Sequence, residues 1–131
     1  DMSRINMTDN AETIAKKIRK AKTDPDGLPS EVAGLEGRPE ARNLVNIYAA
    51  LADSSVEAVL DHAGGKQFSE FKPMLVDIAV EKLAPISTEM AQLMQDPAAI
   101  DQVLKDGAGR AREIAAPILT KTYDIVGMLR S

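Results

Sequence analysis

Apolar residues recur at intervals of three and four along most of this chain, and each stretch that keeps the period predicts an amphipathic helix with one face turned to a core. The first stripe is Ala11, Ile14, Ala15, Ile18 and Ala21, so a helix begins near residue 10. Asp9, followed three residues later by Glu12, has the spacing of a capping box and predicts that start. Cations occupy the remaining arc: Lys16, Lys17, Arg19 and Lys20 are expected to point away from the core, with Lys22 just beyond. A second stripe, Leu44, Val45, Ile47, Tyr48 and Leu51, belongs to a helix that Pro39 opens as a first-turn residue and that runs to about Ala52. Ser54 with Glu57 predicts a short third helix through His62, stopped at Gly64 and Gly65, where glycine supplies a left-handed turn.

Phe71, Leu75, Ile78, Ala79, Leu83, Ile86, Met90, Leu93 and Met94 extend the period over a long fourth helix. Pro85 removes a backbone donor from its interior and predicts a kink. Pro73 moves the expected start of regular helix to Lys72 or Pro73, with Phe68 and Phe71 in a preceding turn. Asp96 and Pro97 form a cap and first-turn pair that begins a fifth helix, whose period passes through Pro117, a second expected kink. Gly107, Ala108, Ala111 and Ala115 continue that period, which fits close helix packing better than a phosphate-cradling loop. Residues 24–38 hold Pro25, Gly27, Pro29, Gly34 and Gly37 with no sustained apolar period, and predict a long mobile loop. The expected fold is all-α: a bundle of about five helices, two of them long and proline-kinked, in a single helical domain of 131 residues.

Composition narrows the chemistry. Hydrophobic residues make up 44% of the chain, yet there are only two Phe and two Tyr, so aliphatic side chains and Met must fill the core. Without cysteine there is no disulfide or thiolate metal site, and the lone His62 cannot build a His-rich zinc site. His62 fits a helix C-terminus, where positive charge is favoured, better than acid-base catalysis, because no Ser or Cys nucleophile has a plausible partner beside it. No apolar run approaches the roughly 20 residues that span a bilayer, so a cytoplasmic chain without a membrane partner is expected.

A net charge of −4 argues against a chain devoted to nonspecific nucleic-acid binding, but the charges are unevenly distributed. Five cations and no anion lie between Lys16 and Lys22, whereas Asp24, Asp26, Glu31, Glu36 and Glu40 follow with Arg38 as the single cation among them. Such a basic arc is either a solvated helix face or a phosphate contact. Arg110, Arg112 and Lys121 form a second, weaker set on the last helix.

Four pieces in series carry a family resemblance: the Lys16-Lys17-Ile18 helix that ends in Thr23-Asp24, the Asn43-Leu44 helix, Phe71-Lys72-Pro73, and the run of Gly107, Ala108, Ala111 and Ala115. In this order and spacing, from about Ile5 to Val126, they resemble the C-terminal helical part of tryptophanyl-tRNA synthetase, a class I aminoacyl-tRNA synthetase. In that family a preceding Rossmann-type domain bears two ATP-handling signatures, of the His-x-Gly-His and Lys-Met-Ser-Lys-Ser types. Neither occurs here, and Asp1-Met2-Ser3-Arg4 only echoes the second.

The resemblance implies a piece of a tryptophan–tRNA ligase, catalytically silent by itself, with residues 1–8 as the connector from the catalytic domain. It implies tryptophan tRNA as partner, recognised in the anticodon region, and a homodimer of the whole enzyme. ATP and Mg would belong to the catalytic part, with no cofactor in this chain. Lys16, Lys17, Arg19, Lys20 and Lys22 are the first candidates for tRNA contact, and Lys72, Arg110, Arg112 and Lys121 the weaker ones. With so few aromatics, base recognition would lean on backbone amides, Asn or Asp edges and Arg rather than on a stacking platform. The alternative is a helical protein-interaction or dimerization module without nucleic-acid binding, in which each cationic cluster is ordinary surface.

Overall fold

A computed structural model describes residues 2–127, so Asp1 of the Asp1-Met2-Ser3-Arg4 echo and residues 128–131 of the expected domain lie outside the described residues. The described residues form five α-helices and a single-turn 3-10 helix: α1 (Ala11–Lys20), the 3-10 turn (Val32–Leu35), α2 (Pro39–Ala52), α3 (Val56–Ala63), α4 (Phe68–Gln95) and α5 (Pro97–Val126). No strand is present among the described residues, and the two long helices carry Pro73 and Pro85, and Pro117, in their interiors. The all-α class and the helix count are as the periodicity predicts. Two compact units divide the chain, one ending at Ala91 and the other beginning at Gln92. None of the described helices is long and apolar enough to cross a membrane.

Several helix starts differ from expectation in instructive ways. The N-cap of α1 is Asn10, whose Oδ1 accepts from the Thr13 N–H at 2.9 Å, while Asp9 accepts from the Asn6 N–H at 2.8 Å. Likewise Ser55, not Ser54, caps α3 by accepting from the Ala58 N–H. Two adjacent polar residues can each serve as caps, and the one that caps is the one held extended at the boundary. α4 begins at Phe68 rather than at Lys72 or Pro73. The Glu70 carboxylate reaches back to the Gln67 N–H, and helical phase places Phe68 and Phe71 together on the buried face. That burial outweighs the one backbone bond Pro73 cannot make.

The first unit is organised around Phe71, Ile14, Leu35, Leu60, Leu75 and Val45, one or two from each of α1 to α4 and from the 3-10 turn, all essentially inaccessible to water. The Tyr48 and Phe71 rings lie 5.6 Å apart at a tilt of 34°, and with Phe68 they belong to this core or pack against it, whereas Tyr123 lies on α5, which has no buried residue.

The segment 24–38 carries anchors that its polar sequence concealed. Leu28 and Leu35 are buried, and Val32–Leu35 form the 3-10 turn. Leu28 exchanges two backbone hydrogen bonds with the turn after α3, donating to the Lys66 carbonyl and accepting from the Gly65 N–H. Gly64 is required there, because a Cβ would come within 2.9 Å of the Ser30 Cα, and Gly65 takes the left-handed turn at φ +78°. Arg38 closes the segment: Nε and Nη2 donate to the two Asp24 carboxylate oxygens, Nη1 to the Gly27 carbonyl and Nη2 also to the Asp26 carbonyl.

Candidate nucleic-acid interface

The five cations of the α1 region occupy different environments. Ile14, Ile18 and Ala21 mark the inward side of α1, and Lys17, three residues after Ile14, falls on that same side by the helical repeat. Lys17 is accordingly buried and paired with Asp9, correcting the expectation that it points outward. Its ammonium holds the Asp9 carboxyl below the usual carboxylate range. Lys22 is exposed and pairs with Glu40 at 2.9 Å, which lowers the Glu40 pKa and raises that of Lys22. Lys16, Arg19 and Lys20 are exposed, and their side chains have no hydrogen bond or ion pair among the described residues.

Lys72 reaches α1 from α4. Its Nζ donates to the Arg19 and Ala21 carbonyls at 3.1 and 2.7 Å, acceptors at the helix end where the macrodipole is negative. Two of the three ammonium donors are thereby used to fasten the end of α1 to the first turns of α4. The outcome is a cleft of about 450 Å3 lined by Arg19, Thr23, Phe68, Ser69, Lys72 and Pro73. Two candidates from distant parts of the sequence thus share one site, together with two hydroxyl residues that the sequence reading did not single out.

The remaining candidates belong to the second unit. Arg110, Arg112 and Lys121 are exposed on α5. Arg110 and Lys121 are eleven residues apart, about three helical turns, and share a face, whereas Arg112 lies on roughly the opposite side. They do not form one cluster. Asn43 lines a mostly apolar cavity of about 360 Å3 with Ile5, Met7, Ile18, Leu51 and others, and its side chain fastens no described residue.

Sequence reasoning missed Arg38 as an organising residue, although its isolation among five acidic residues was a usable signal. The guanidinium beside Asp24 holds that carboxyl below its usual range. Among the described residues no group of three or more His, Asp or Glu is placed to hold a metal ion. What the site offers is binding: an unpaired Arg19 and a carbonyl-held Lys72 line a cleft with two hydroxyl side chains.

Comparison with known proteins bears on what is bound. No family model matches the chain. A tryptophan–tRNA ligase of Mesorhizobium japonicum is 59% identical over 130 residues, covering 99% of this chain, and one of Agrobacterium fabrum is 57% identical over the same length. Over almost its whole length, the chain is similar to part of these tryptophan–tRNA ligases. It spans 37% of the length of those two relatives, consistent with a C-terminal piece of a class I aminoacyl-tRNA synthetase. The likeness extends to a chloroplastic/mitochondrial tryptophan–tRNA ligase of Arabidopsis thaliana, 34% identical over 97% of this chain.

Proposed function

We propose that this chain is the tRNA-recognition domain of a tryptophan–tRNA ligase, engaging the anticodon region of tryptophan tRNA. The supporting observation is the conjunction of relatives named as tryptophan–tRNA ligases with an α1 edge on which Lys16, Arg19 and Lys20 are all exposed and unpaired. Phosphate neutralisation by such cations gives orientation and affinity, while base identity is read elsewhere. Lys22, Arg110, Arg112 and Lys121, also exposed, are secondary phosphate contacts in this reading, while Lys17 acts through the placement of α1 and Lys72 both fastens α1 and lines the cleft beside Arg19. A catalytic domain of the same polypeptide would join tryptophan to its tRNA using ATP and Mg, in a cytoplasmic homodimer.

The test is titration of the chain with tryptophan tRNA and a noncognate tRNA at two salt concentrations. Cognate preference with a steep loss of affinity at higher salt is expected. Equal, salt-insensitive binding, or none, would sink the reading. One observation favours a protein-interaction module instead: Val103, Leu104, Ile114, Ile118 and Ile125 of α5 are largely exposed. A helix-on-helix contact through such residues would respond much less to salt.

A further inference from the structure

The geometry points to the cleft between the end of α1 and the first turns of α4 as a seat for one phosphodiester of an RNA backbone, with Arg19 as the arm that closes on it. This deepens the tRNA reading above and rests on it. The lining is Arg19, Thr23, Phe68, Ser69, Lys72 and Pro73: two cations, two hydroxyls and no carboxylate, in a chain with four more acidic than basic residues.

Several carboxylates of the first unit are already engaged by other groups. Asp9 is taken by Lys17, Asp24 by Arg38 and Glu40 by Lys22, while Glu70 accepts from the Gln67 N–H. Arg19 is left without a counterion among the described residues, and the nearest acidic residues in sequence, Glu12 and Asp24, stand seven positions before it and five after it. Lys72 supplies a positive charge already held by two carbonyls, so ordering it for a ligand costs little conformational entropy. An arginine fork matches two oxygens of a phosphate, and the Thr23 and Ser69 hydroxyls are donors of suitable reach.

The same lining argues for backbone rather than base. Phe68 is buried and presents no open ring face for stacking, and no amide or carboxylate side chain is at hand to read a base edge. The seat should therefore be indifferent to sequence, contributing equally to cognate and noncognate tRNA.

The experiment measures binding of the full chain to tryptophan tRNA and a noncognate tRNA across a salt series, for the wild type, Arg19→Ala, Ser69→Ala and the charge-matched control Lys82→Ala. Lys82 is an exposed α4 residue away from the cleft. Arg19→Ala is expected to weaken both tRNAs by the same factor, about tenfold, and to lower the salt slope by about one. Ser69→Ala should weaken both by about two- to threefold, and Lys82→Ala by less than about twofold. Arg19→Ala behaving like Lys82→Ala, with wild-type binding intact, overturns the seat and leaves the tRNA reading standing. Loss confined to the cognate tRNA overturns the backbone assignment. Failure of the wild type to bind any tRNA overturns the tRNA reading and the seat with it. In a parallel titration with inorganic phosphate, saturable shifts of the Thr23 and Ser69 amides without an Arg19 effect on tRNA would assign the cleft to free phosphate and overturn the RNA seat.

Discussion

Of the ten residues of α1, Ile14, Ala15, Lys17 and Ile18 are buried, whereas none of the thirty residues of α5 is. Both helices have apolar residues at helical spacing, and both carry exposed cations. A stripe of that period states which side of a helix would be covered; it does not supply the cover. α1 contributes to a core shared with α2, α3 and α4, while Ile118 and Ile125 of α5 remain 64% and 74% exposed. The cations follow suit. Packing sorts those of α1 into a buried pair, a surface pair and three free groups, but leaves those of α5 in solvent.

The largest test of that contrast is a pair of truncations. Phe71→Ala removes a fully buried ring and should lower stability by about 3–5 kcal/mol, read from urea unfolding. Ile118→Ala should change it by less than about 0.5 kcal/mol, as expected for an exposed position. An Ile118 effect as large as that of Phe71 would break the contrast, because the α5 face would then be covered in solution.

The parts legible in the sequence are those set by local rules. Pro39 and the Asp96-Pro97 pair mark helix starts, and Gly65 marks a left-handed turn, each for a reason contained within a few residues. Asn10 and Ser55 were displaced by one position because Asp9 and Ser54 have equivalent chemistry, and only the local backbone decides between them. The burial of Lys17 follows from its helical phase with Ile14 and Ile18, which its charge masks in the pattern of polar and apolar positions. The joining of Arg19 and Lys72 was not, because it depends on how α4 crosses the end of α1, fifty-three residues away. The segment 24–38 lay between these cases: its anchors Leu28, Leu35 and Arg38 are single residues without a period.

A smaller effect sharpens the contrast within the first unit. Arg38→Ala removes the pairing with Asp24 and two hydrogen bonds to carbonyls, from side chains that are mostly buried. The expected loss is about 1–3 kcal/mol, discounted for partial solvent access, with faster amide exchange at Leu28 and Gly65. The Asp24 carboxyl lies below its ordinary 3.8 in the folded chain. Its contribution is therefore complete above about pH 4 and disappears as pH falls through the lower folded value. Arg38→Ala should flatten this part of the acid transition. The share from Asp9, lowered by Lys17, should persist. An unchanged acid limb would mean that Arg38 does not hold Asp24 in solution.

The smallest effects come from the caps, and they ask whether the two regions unfold together. Asn10 caps α1 through the Thr13 N–H, and Asp96 caps α5 through the Ala99 N–H at 3.1 Å. Alanine at either position removes one acceptor, worth about 1 kcal/mol to its helix. Because α1 is part of the core, Asn10→Ala should lower the urea midpoint of the first unit. Asp96→Ala should instead speed amide exchange in the first turn of α5 and leave that midpoint in place, since local opening need not involve the core. Equal midpoint shifts from the two variants would show that α5 unfolds cooperatively with the first unit, a coupling that its exposed surface does not account for.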